Sequence, residues 1–467
     1  MTAYQRKITI ALMIATFLSA IEVTIVSTAM PTIVNKLGGL ELISWVYAVY
    51  LLTSAVTTPI FGKIADLFGR KKVFLFGCSL FLIGSMLCGL SQSMEQLILF
   101  RAIQGIGAGA VVPITFTIIG DIFTFEERAR VQGLFASIWG VAGIFGPLVG
   151  GFFVDYVSWH WIFYINIPFG LLSIWLISKN LHEKLEKRAR KIDYGGAITF
   201  TIGTTALLYA LLTGGNEYDW NSATMYLLLI VTVVFLVSFF AIQKRHPEPM
   251  IPIKLFHIRE VSVPNLISFL ASAILIGVTA YLPLWIQGVL KEGAIFSGMI
   301  LMPMSIGWPI GATVGSRLLV RYGAKPISLL GIFLLVIGTF CLTLITMATP
   351  PWMILGMVFI LGLGFGFSIT IFTIVVQSAV DWSLRGVATS SNTFLRTLGQ
   401  TLGVAVLGTF LNHQIGSHAD SNAQVPPEVL AAGIHQNFNI VAVLAVICLA
   451  ITFWLPKKKP QPEPAES

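Results

Sequence analysis

The sequence predicts an all-α integral membrane protein with fourteen transmembrane helices. Hydrophobic residues make up 56% of the 467 residues and charged residues only 11%, whereas about 25% of the residues in an average soluble domain are charged. The hydrophobic residues also lie in long runs, and a helix needs about 20 such residues to cross the hydrocarbon core of a bilayer. Fourteen runs reach this length. Because this number is even, we expect both chain termini on the same side of the membrane.

The predicted spans form a set of six, a pair and a second set of six. The first set covers residues 8–30, 43–62, 73–91, 96–120, 131–154 and 160–179. The pair covers 194–213 and 223–243, and the last set covers 261–286, 297–316, 326–347, 352–378, 387–411 and 436–455, which leaves an outer loop at 412–435. We therefore divide the chain into an N-terminal bundle (1–180), a middle segment with a charged inner loop, two extra helices and a linker (181–260), a C-terminal bundle (261–456) and a cytoplasmic tail (457–467).

The distribution of lysine and arginine predicts which side of the membrane each loop faces. If the N-terminus is cytoplasmic, all but four of the 29 basic residues fall in cytoplasmic segments, as expected because cytoplasmic loops are enriched in these residues. The exceptions are Lys36 and Lys291 in outer loops, and Arg101 and Arg396 inside predicted spans. The net charge of +8 therefore reflects topology. We expect cytoplasmic termini and no nucleic-acid partner.

The contents of the spans exclude several classes of protein. The first span is too long for a removable signal peptide and lacks the small-residue cleavage site. The four cysteines lie in predicted spans without CxxC spacing, and none of the seven histidines lies well inside a span, so we expect no disulfide, no metal site and no cofactor. Residues 105–109 are rich in glycine, but no strand precedes them and no Walker sequence occurs. We expect neither enzymatic activity nor the use of ATP.

Glu22 is the one acidic residue in the hydrophobic middle of a predicted span, about 14 residues or ~21 Å from the inner end of the first helix. Thr16, Ser19 and Glu22 share an arc of about 120° on that helix, which predicts a polar stripe facing a cavity. Burial removes water from a carboxylate and favours its neutral form, so we expect Glu22 to exchange protons. Ionisable residues inside spans are functional by default. The alternative is a structural acid neutralised by a fixed base.

Arg101 is the natural partner for Glu22. The fourth helix enters from the outside, so Arg101 lies about 8 Å below the outer end of that helix, and Glu22 lies about 12 Å below the outer end of the first. A pair at this depth would report to the fourth helix whether Glu22 carries a proton. An arginine that only donates to backbone carbonyls is an equally open alternative. Arg396 in the thirteenth span is a second buried arginine without an assigned role.

Five short motifs, in order along the chain, resemble those of the major facilitator superfamily, and in particular its fourteen-span drug/proton antiporters. They lie at residues 21–31, 62–72, 101–107, 143–151 and 159–168. A weak internal repeat, in which residues 62–71 recur at 316–325, is also typical of transporters. The resemblance implies the major facilitator fold and proton-driven export of drugs across a bacterial plasma membrane. The chain departs from the family at position 22, where Glu replaces the usual Asp.

Two of these motifs have conformational roles in the family. The loop after the second span is a cytoplasmic latch, and here it contains Gly62, Asp66, Gly69, Arg70 and Lys71. The antiporter motif of the fifth span contains Gly143, Gly146, Pro147, Gly150 and Gly151. Because small residues let helices approach closely, we expect the fifth span to pack on Gly307, Gly311 and Gly315. In the same way, we expect Ser54, Thr58 and Gly62 to meet Gly399 and Gly403.

The substrate is the property that the sequence predicts least well. The candidates for lining a central cavity are Tyr50, Gln104, Trp139, Tyr281, Trp285 and Gln287. A single deep carboxylate balances one positive charge, so we expect lipophilic compounds that are monocationic, neutral or zwitterionic. The expected partners are then these small molecules, protons and membrane lipids, with the chain acting as a monomer. Two alternatives remain open: an exporter of an endogenous metabolite or lipid, and a membrane sensor that transports nothing.

Overall fold

A computed structural model describes residues 2–123, 125–183, 193–214, 217–247, 249, 253–380, 385–415 and 425–456. The long elements in this part of the chain are all helices, and fourteen helical stretches among the described residues are long and apolar enough to cross a membrane. The prediction of fourteen spans is therefore confirmed. The sixth span consists of two helices in sequence.

The first seven helices are α1 (Ala3–Leu37), α2 (Ile43–Phe68), α3 (Arg70–Gly89), α4 (Met94–Ile122), α5 (Phe125–Phe152), α6 (Trp161–Tyr164) and α7 (Asn166–Asn180). The next four are α8 (Tyr194–Thr213), α9 (Ala223–Arg245), α10 (Arg259–Leu284) and α11 (Ala294–Tyr322). The last four are α12 (Ala324–Thr343), α13 (Pro351–Ser378), α14 (Arg385–Ile415) and α15 (Pro427–Thr452). Single π-helical turns follow α5 and α10, at Phe153–Val157 and Trp285–Val289.

The helices extend past the predicted spans where capping side chains stabilise polar ends. Thr2 and Gln5 form a reciprocal capping box that starts α1 five residues before the predicted span, and such a box supplies partners for otherwise unbonded N–H groups. The bounds of the predicted outer loop 412–435 need the largest correction. Helix α14 continues to Ile415 and α15 begins at Pro427, so the loop is shorter than predicted. Hydrophobicity marks the membrane core, whereas a helix continues as long as its backbone is hydrogen-bonded.

The sixth span is interrupted between Tyr164 and Asn166. Pro168 has no N–H to donate to the carbonyl of Tyr164, so the helical hydrogen bond expected between these two residues is missing. The interruption lies inside the bundle and frees the chain to direct Asn166 towards α1.

The chain forms two compact units. The first comprises Met1–Met250, Thr279–Met299 and Val404–Gly433. The second comprises Ile251–Val278, Ile300–Gly403 and Ile434–Ser467. The first unit thus contains the first nine helices together with the ends of α10, α11, α14 and α15 that the predicted topology places outside.

Glycines bring helix backbones into direct contact inside the first unit. A Cβ added to Gly84 of α3 would lie 2.6 Å from Cα of Gln104 in α4, a distance that no real side chain tolerates. In α5, a Cβ on Gly146 would lie 2.9 Å from Cβ of Thr24 in α1. These close approaches fix the register of α3 on α4 and of α5 on α1.

The glycines Gly307, Gly311 and Gly315 have close neighbours within the second unit. Gly307 and Gly311 pack on α13, where an added Cβ would lie 2.7 Å from the carbonyl oxygen of Phe359 and 2.5 Å from that of Leu363. Gly315 packs in the same way on Phe367. Spacing shows that a helix face is small, but it carries no information about which neighbour uses the face.

Gly399 and Gly403 of α14 likewise have close neighbours within their own unit. Within the second unit these two glycines pack on Phe269 and Ala273 of α10. No described atom lies within 4 Å of a Cβ added to Gly62. The small residues of α14 therefore hold α10 and α14 together, and Gly62 has no close neighbour that requires glycine.

Candidate functional site

Glu22 and Arg101 form an ion pair in the interior of the first unit. Oε1 of Glu22 lies 2.5 Å from Nη1 of Arg101, and the two residues are 0% and 1% exposed. A charge taken out of water at this depth needs a partner of opposite sign. Of the two interpretations of Arg101, the geometry supports the pair, since the main contact of Arg101 is with the carboxylate.

Asn166 is the second partner of Glu22. Its Nδ2 donates to Oε2 of Glu22 at 2.8 Å and to Oγ of Ser85 at 2.9 Å. The Ser85 hydroxyl in turn donates to the carbonyl of Phe163 at 2.9 Å. The interruption of the sixth span thus supplies both the amide that binds the carboxylate and the carbonyl that orients Ser85. Each oxygen of Glu22 consequently has its own donor.

The guanidinium of Arg101 is held from three further sides. Its Nη1 donates to Oε1 of Gln104 at 2.8 Å, and its Nε donates to the carbonyl of Val46 at 3.4 Å. Its central carbon lies 4.1 Å from the centre of the Tyr50 ring, a distance at which the aromatic face attracts a cation. These contacts keep Arg101 in place with or without a charge on Glu22.

Several polar atoms around the pair lack a hydrogen-bond partner among the described residues. They are Oγ1 of Thr16, Nε2 of Gln104 and Oδ1 of Asn166, all in fully buried side chains. Buried polar atoms normally have partners, and leaving one unpaired costs about 1–3 kcal/mol. The network around Glu22 therefore has unused donors and acceptors for a second arrangement.

The expectation that Thr16, Ser19 and Glu22 face a cavity is wrong for this structure. Thr16 and Glu22 have no exposed surface, and Ser19 is 5% exposed and donates to the carbonyl of Ala15. The three residues do share one side of α1, but that side is covered by neighbouring helices of the first unit. Helical periodicity predicts which residues share a face, and only packing decides what covers that face.

The six candidates for a substrate cavity fall into three places. Tyr50 and Gln104 belong to the network of Arg101. Tyr281 is buried at the outer end of α10, and Trp285 and Gln287 lie in the π-helical turn that follows, where Trp285 is buried. Trp139 stands apart on α5 with 46% of its surface exposed.

Tyr281 and Gln287 bind α1 and the start of α2 inside the first unit. The hydroxyl groups of Tyr281 and Ser44 share a hydrogen bond of 3.1 Å. Nε2 of Gln287 donates to the carbonyl of Thr28 at 2.7 Å, and Oγ1 of Thr32 donates to Oε1 of Gln287 at 3.4 Å. We call these residues, with those of the next paragraph, the outer contact.

Asp155 completes the outer contact from the end of α5. Its carboxylate accepts from the backbone N–H of Ala294 at 3.1 Å and of Ile295 at 2.9 Å. These are the first N–H groups of α11, which have no partner inside the helix and carry a partial positive charge. Further along, Nδ2 of Asn412 donates to the carbonyl of Glu41 at 2.8 Å.

The small residues of the motif at 143–151 in α5 pack on two neighbouring helices. Gly146 and Gly150 pack on α1, against Thr24 and Ile25. Pro147 and Gly151 face the outer end of α11, where a Cβ added to Gly298 would lie 2.7 Å from the carbonyl carbon of Pro147. Gly143 is buried one turn earlier. Helix α5 therefore lies between the helix that carries Glu22 and an element of the outer contact.

The loop after the second span is bound by a residue that the sequence did not single out. Gly69 reverses the chain with φ of 98°, which favours glycine. The carboxylate of Glu183 then accepts from the backbone N–H of Arg70 at 2.8 Å and of Lys71 at 3.1 Å, and Nζ of Lys71 donates to the carbonyl of Ser178 at 2.7 Å. The side chain of Asp66 lies outside the described part of the chain.

His160 lies between the fifth and sixth spans, away from Glu22. Its ring stacks on Trp159 with centroids 3.9 Å apart, and its Nδ1 lies 2.6 Å from Oγ of Ser158. Partial burial lowers the pKa of this imidazole below its usual value. These contacts are those of a packing residue at the end of a span.

Sequence reasoning missed three residues of these sites: Asn166, Asp155 and Glu183. Asn166 lies in the motif at 159–168, so the motif marked the right segment but gave no reason to assign a role to the Asn166 amide. Asp155 directly follows the predicted span 131–154, and Glu183 comes four residues after the predicted span 160–179. At both positions an acid is available to bind the N-terminus of another helix. Within the described residues, no group of three or more His, Cys, Asp or Glu is arranged to hold a metal ion.

Comparisons with known proteins agree with this architecture. The family profile described as Major Facilitator Superfamily matches residues 12–404. Multidrug resistance protein 3 of Bacillus subtilis (strain 168) is 38% identical over 92% of this chain and 87% of its own length. Multidrug transporter protein MdtP of the same organism is 38% identical over 87% of this chain and 75% of its own length.

Two solved structures share the fold at low sequence identity. The D-xylose-proton symporter superposes with a TM-score of 0.71 at 13% identity, over 98% of this chain and all of the other. A bacterial homologue of the human lysosomal transporter Spinster, in an inward-facing unoccupied conformation, gives 0.69 at 16% identity over 97% of both chains. At these identities the similarity concerns the fold alone.

Proposed function

This chain belongs to the major facilitator superfamily, and on that premise we propose that it exports lipophilic drugs from the cell in exchange for protons. It is a multi-pass protein of the bacterial plasma membrane and a transporter, not an enzyme. Two relatives named as multidrug transporters match most of its length. We extend their class of substrate to this chain.

The buried pair of Glu22 and Arg101 is the observation that carries the proposal. When Glu22 is charged, its two oxygens bind Arg101 and Asn166. When Glu22 takes up a proton, the ion pair is lost and Arg101 keeps only Gln104, Val46 and the Tyr50 ring. One proton thus converts the site between two electrostatic states. This is the behaviour required of a coupling residue in a transporter that alternates between two conformations.

We propose that proton and substrate compete through conformation. Glu22 has no exposed surface in this structure, so a proton reaches it only after the helices around it open. Protonation from outside would favour one conformation, and substrate binding from the cytoplasm or the inner leaflet would favour the other. A ligand shifts such an equilibrium only by its difference in affinity for the two states.

The membrane potential determines which exchanges are driven. Each positive charge that enters the cell releases about 2.3 kcal/mol per 100 mV. A neutral or zwitterionic drug exchanged for one proton therefore uses both the potential and the pH gradient. A monocation exchanged one for one uses the pH gradient alone. With a single deep carboxylate, monocationic, neutral and zwitterionic drugs fit the charge balance better than dications.

Purified protein in liposomes with an imposed pH gradient tests the proposal. Fluorescent monocationic and neutral drugs should accumulate in the wild-type vesicles and release protons. Glu22→Gln should still bind drug but lose all dependence of transport on the pH gradient, because the amide cannot exchange a proton. Glu428→Gln, an exposed glutamate at the start of α15, is the matched control and should transport normally. Undiminished gradient-driven transport by Glu22→Gln would refute the coupling role.

Export of an endogenous metabolite is a second candidate. The Acurin A biosynthesis cluster MFS-type transporter of Aspergillus aculeatus is 30% identical over 89% of this chain, and its name connects it with a cell-made compound. A strain without this gene distinguishes the two: drug export predicts lower drug tolerance, whereas metabolite export predicts accumulation of a compound inside untreated cells.

A further inference from the structure

Arg396 of α14 is a second arginine inside a bundle, and its surroundings differ from those of Arg101. It belongs to the second unit, where the predicted spans contain no acidic residue. Arg396 forms no ion pair with any described residue, and its Nε has no hydrogen-bond partner among them. A charged side chain inside a span normally pairs with another group. Arg396 therefore lacks a counterion that Arg101 has.

The packing of α14 on α10 places Arg396 in a defined seam. At one level Nδ2 of Asn392 donates to Oδ1 of Asn265 at 2.7 Å. Two turns further along α14, a Cβ added to Gly399 would lie 3.0 Å from Cα of Phe269. Arg396 is one turn above Asn392 and one turn below Gly399, so all three share one side of α14. Arg396 thus lies on the face that packs against α10, between these two contacts.

The same seam contains buried polar groups without partners. Nδ2 of Asn265 and the hydroxyls of Ser268 and Ser272 have no hydrogen-bond partner among the described residues. All three side chains are 0% exposed. On α10 these residues are spaced by three and four positions, so they form one stripe. Ser391, beside Asn392 on α14, has an unpaired hydroxyl as well.

The unpaired polar atoms of this seam can all act as hydrogen-bond donors. The unpaired atoms Nδ2 of Asn265 and Nε of Arg396 can only donate, because Oδ1 of Asn265 already accepts from Asn392, and each serine hydroxyl supplies one further donor. A buried donor without an acceptor costs free energy, and the described residues of the seam leave five such donors unused. What is missing is an acceptor, and a negatively charged one matches Arg396 best, because a guanidinium binds a carboxylate through two parallel hydrogen bonds.

We propose that Arg396, with Asn265, Ser268 and Ser272, forms a subsite that binds a carboxylate group of the substrate. The inference rests on the proposed drug export and narrows it, since it makes zwitterionic drugs with a free carboxylate the preferred class. Arg396 retains part of its surface exposed, which gives a ligand access to it. The subsite lies entirely in the second unit and is independent of Glu22.

A pair of dyes that differ in one group tests the proposal by binding alone. Tetramethylrhodamine carries a free carboxylate and is zwitterionic, and its methyl ester is a monocation of nearly the same shape. Fluorescence anisotropy with the purified full-length protein in detergent gives the Kd of each dye. In Arg396→Gln, the ratio of the ester Kd to the acid Kd should fall at least about tenfold, the loss expected for a charge-assisted hydrogen bond.

Two variants and a control complete the experiment. Arg396→Lys keeps the charge but not the planar fork, so it should recover part of the ratio. Asn265→Asp adds a carboxylate to the seam as a built-in counterion, so it should lower the affinity for the acid in particular. Arg321→Gln, at an exposed arginine of α11, should leave the ratio unchanged.

An unchanged ratio of the ester Kd to the acid Kd in both Arg396→Gln and Asn265→Asp would overturn the proposal. An equal loss of affinity for the two dyes would also overturn it, because that result is expected if water alone satisfies these donors. Transport in liposomes is measured separately. A protein that shows the Arg396-dependent ratio without proton-driven transport would refute the proposed function and leave the subsite standing. Proton-driven transport together with a Kd ratio that does not depend on Arg396 would refute the subsite and leave the proposed function standing.

Discussion

At the scale of single residues, the position of Glu22 depends on two donors from different parts of the chain. Arg101 comes from α4 and Asn166 from the interruption of the sixth span. The pair and the amide together stabilise the charged form, and burial opposes it.

Asn166→Leu tests this balance. The change removes the donor to Oε2 of Glu22, and a hydrogen bond to a charged group contributes about 1.5–3 kcal/mol. Since only the charged form of Glu22 loses this contact, protonation becomes easier, and the pH at which transport is half-maximal should rise by about 1–2 units. The pH profile of drug transport in liposomes measures the shift. Asn180→Leu, which alters another asparagine of α7, should leave the profile in place.

At the scale of helices, two acids that follow spans bind the first N–H groups of other helices. Asp155 binds the N-terminus of α11, and Glu183 binds that of α3. Each contact combines hydrogen bonds with attraction to the helix dipole. Both are made by side chains close to water, where a modest energy can be gained or lost as helices move. We therefore expect such caps to influence conformational equilibria more than folding.

Asp155→Asn should shift the outer contact towards its open form. The amide keeps the shape but loses the charge that binds α11, which costs about 0.5–2 kcal/mol. A cysteine at Thr32 should then react several-fold faster with a membrane-impermeant maleimide, because the contact with Gln287 is broken more of the time. Asp219→Asn, in an exposed segment between α8 and α9, is the control. A labelling rate equal to that of the parent would contradict the role of Asp155.

Gly146→Ala should destabilise the packing of α1 on α5. The new Cβ would lie 2.9 Å from Cβ of Thr24, so one of the helices must move, at a cost of about 1–3 kcal/mol. Thermal unfolding in detergent should show a lower midpoint. Gly356→Ala provides a matched control in α13, where no described atom lies within 4 Å of the added Cβ, and there the midpoint should stay or rise. Equal midpoints for the two variants would show that this contact adapts without cost.

At the scale of the whole molecule, the proposed exchange between two conformations predicts that the outer contact breaks and re-forms. The first unit holds that contact through side chains of α1, α2 and α5 on one side and of α10, α11 and α14 on the other. It consists of a few hydrogen bonds and one helix cap, without an ion pair among the described residues.

A covalent crosslink across the outer contact should stop transport. Thr32 and Gln287 are joined by a hydrogen bond between their side chains, so cysteines at the two positions can be joined by a short bifunctional methanethiosulfonate reagent. Because Cys341 is the one native cysteine with exposed surface, the pair is best made with Cys341→Ser. Drug transport should be lost on crosslinking and return with a reducing agent, whereas each single cysteine should remain active. Transport by the fully crosslinked pair would show that the outer contact stays closed during the cycle.

The sequence by itself determined the fourteen spans, the family and the depth of Glu22. These properties depend on local composition and on position along a helix, and both can be counted along the chain. The partners of Glu22, the neighbours of the glycines and the outer contact were decided only by the tertiary structure. Asn166 is 144 residues from Glu22, and which faces meet depends on the packing of all the helices together. A helix pattern shows that a face is polar or small, but not which neighbour covers it.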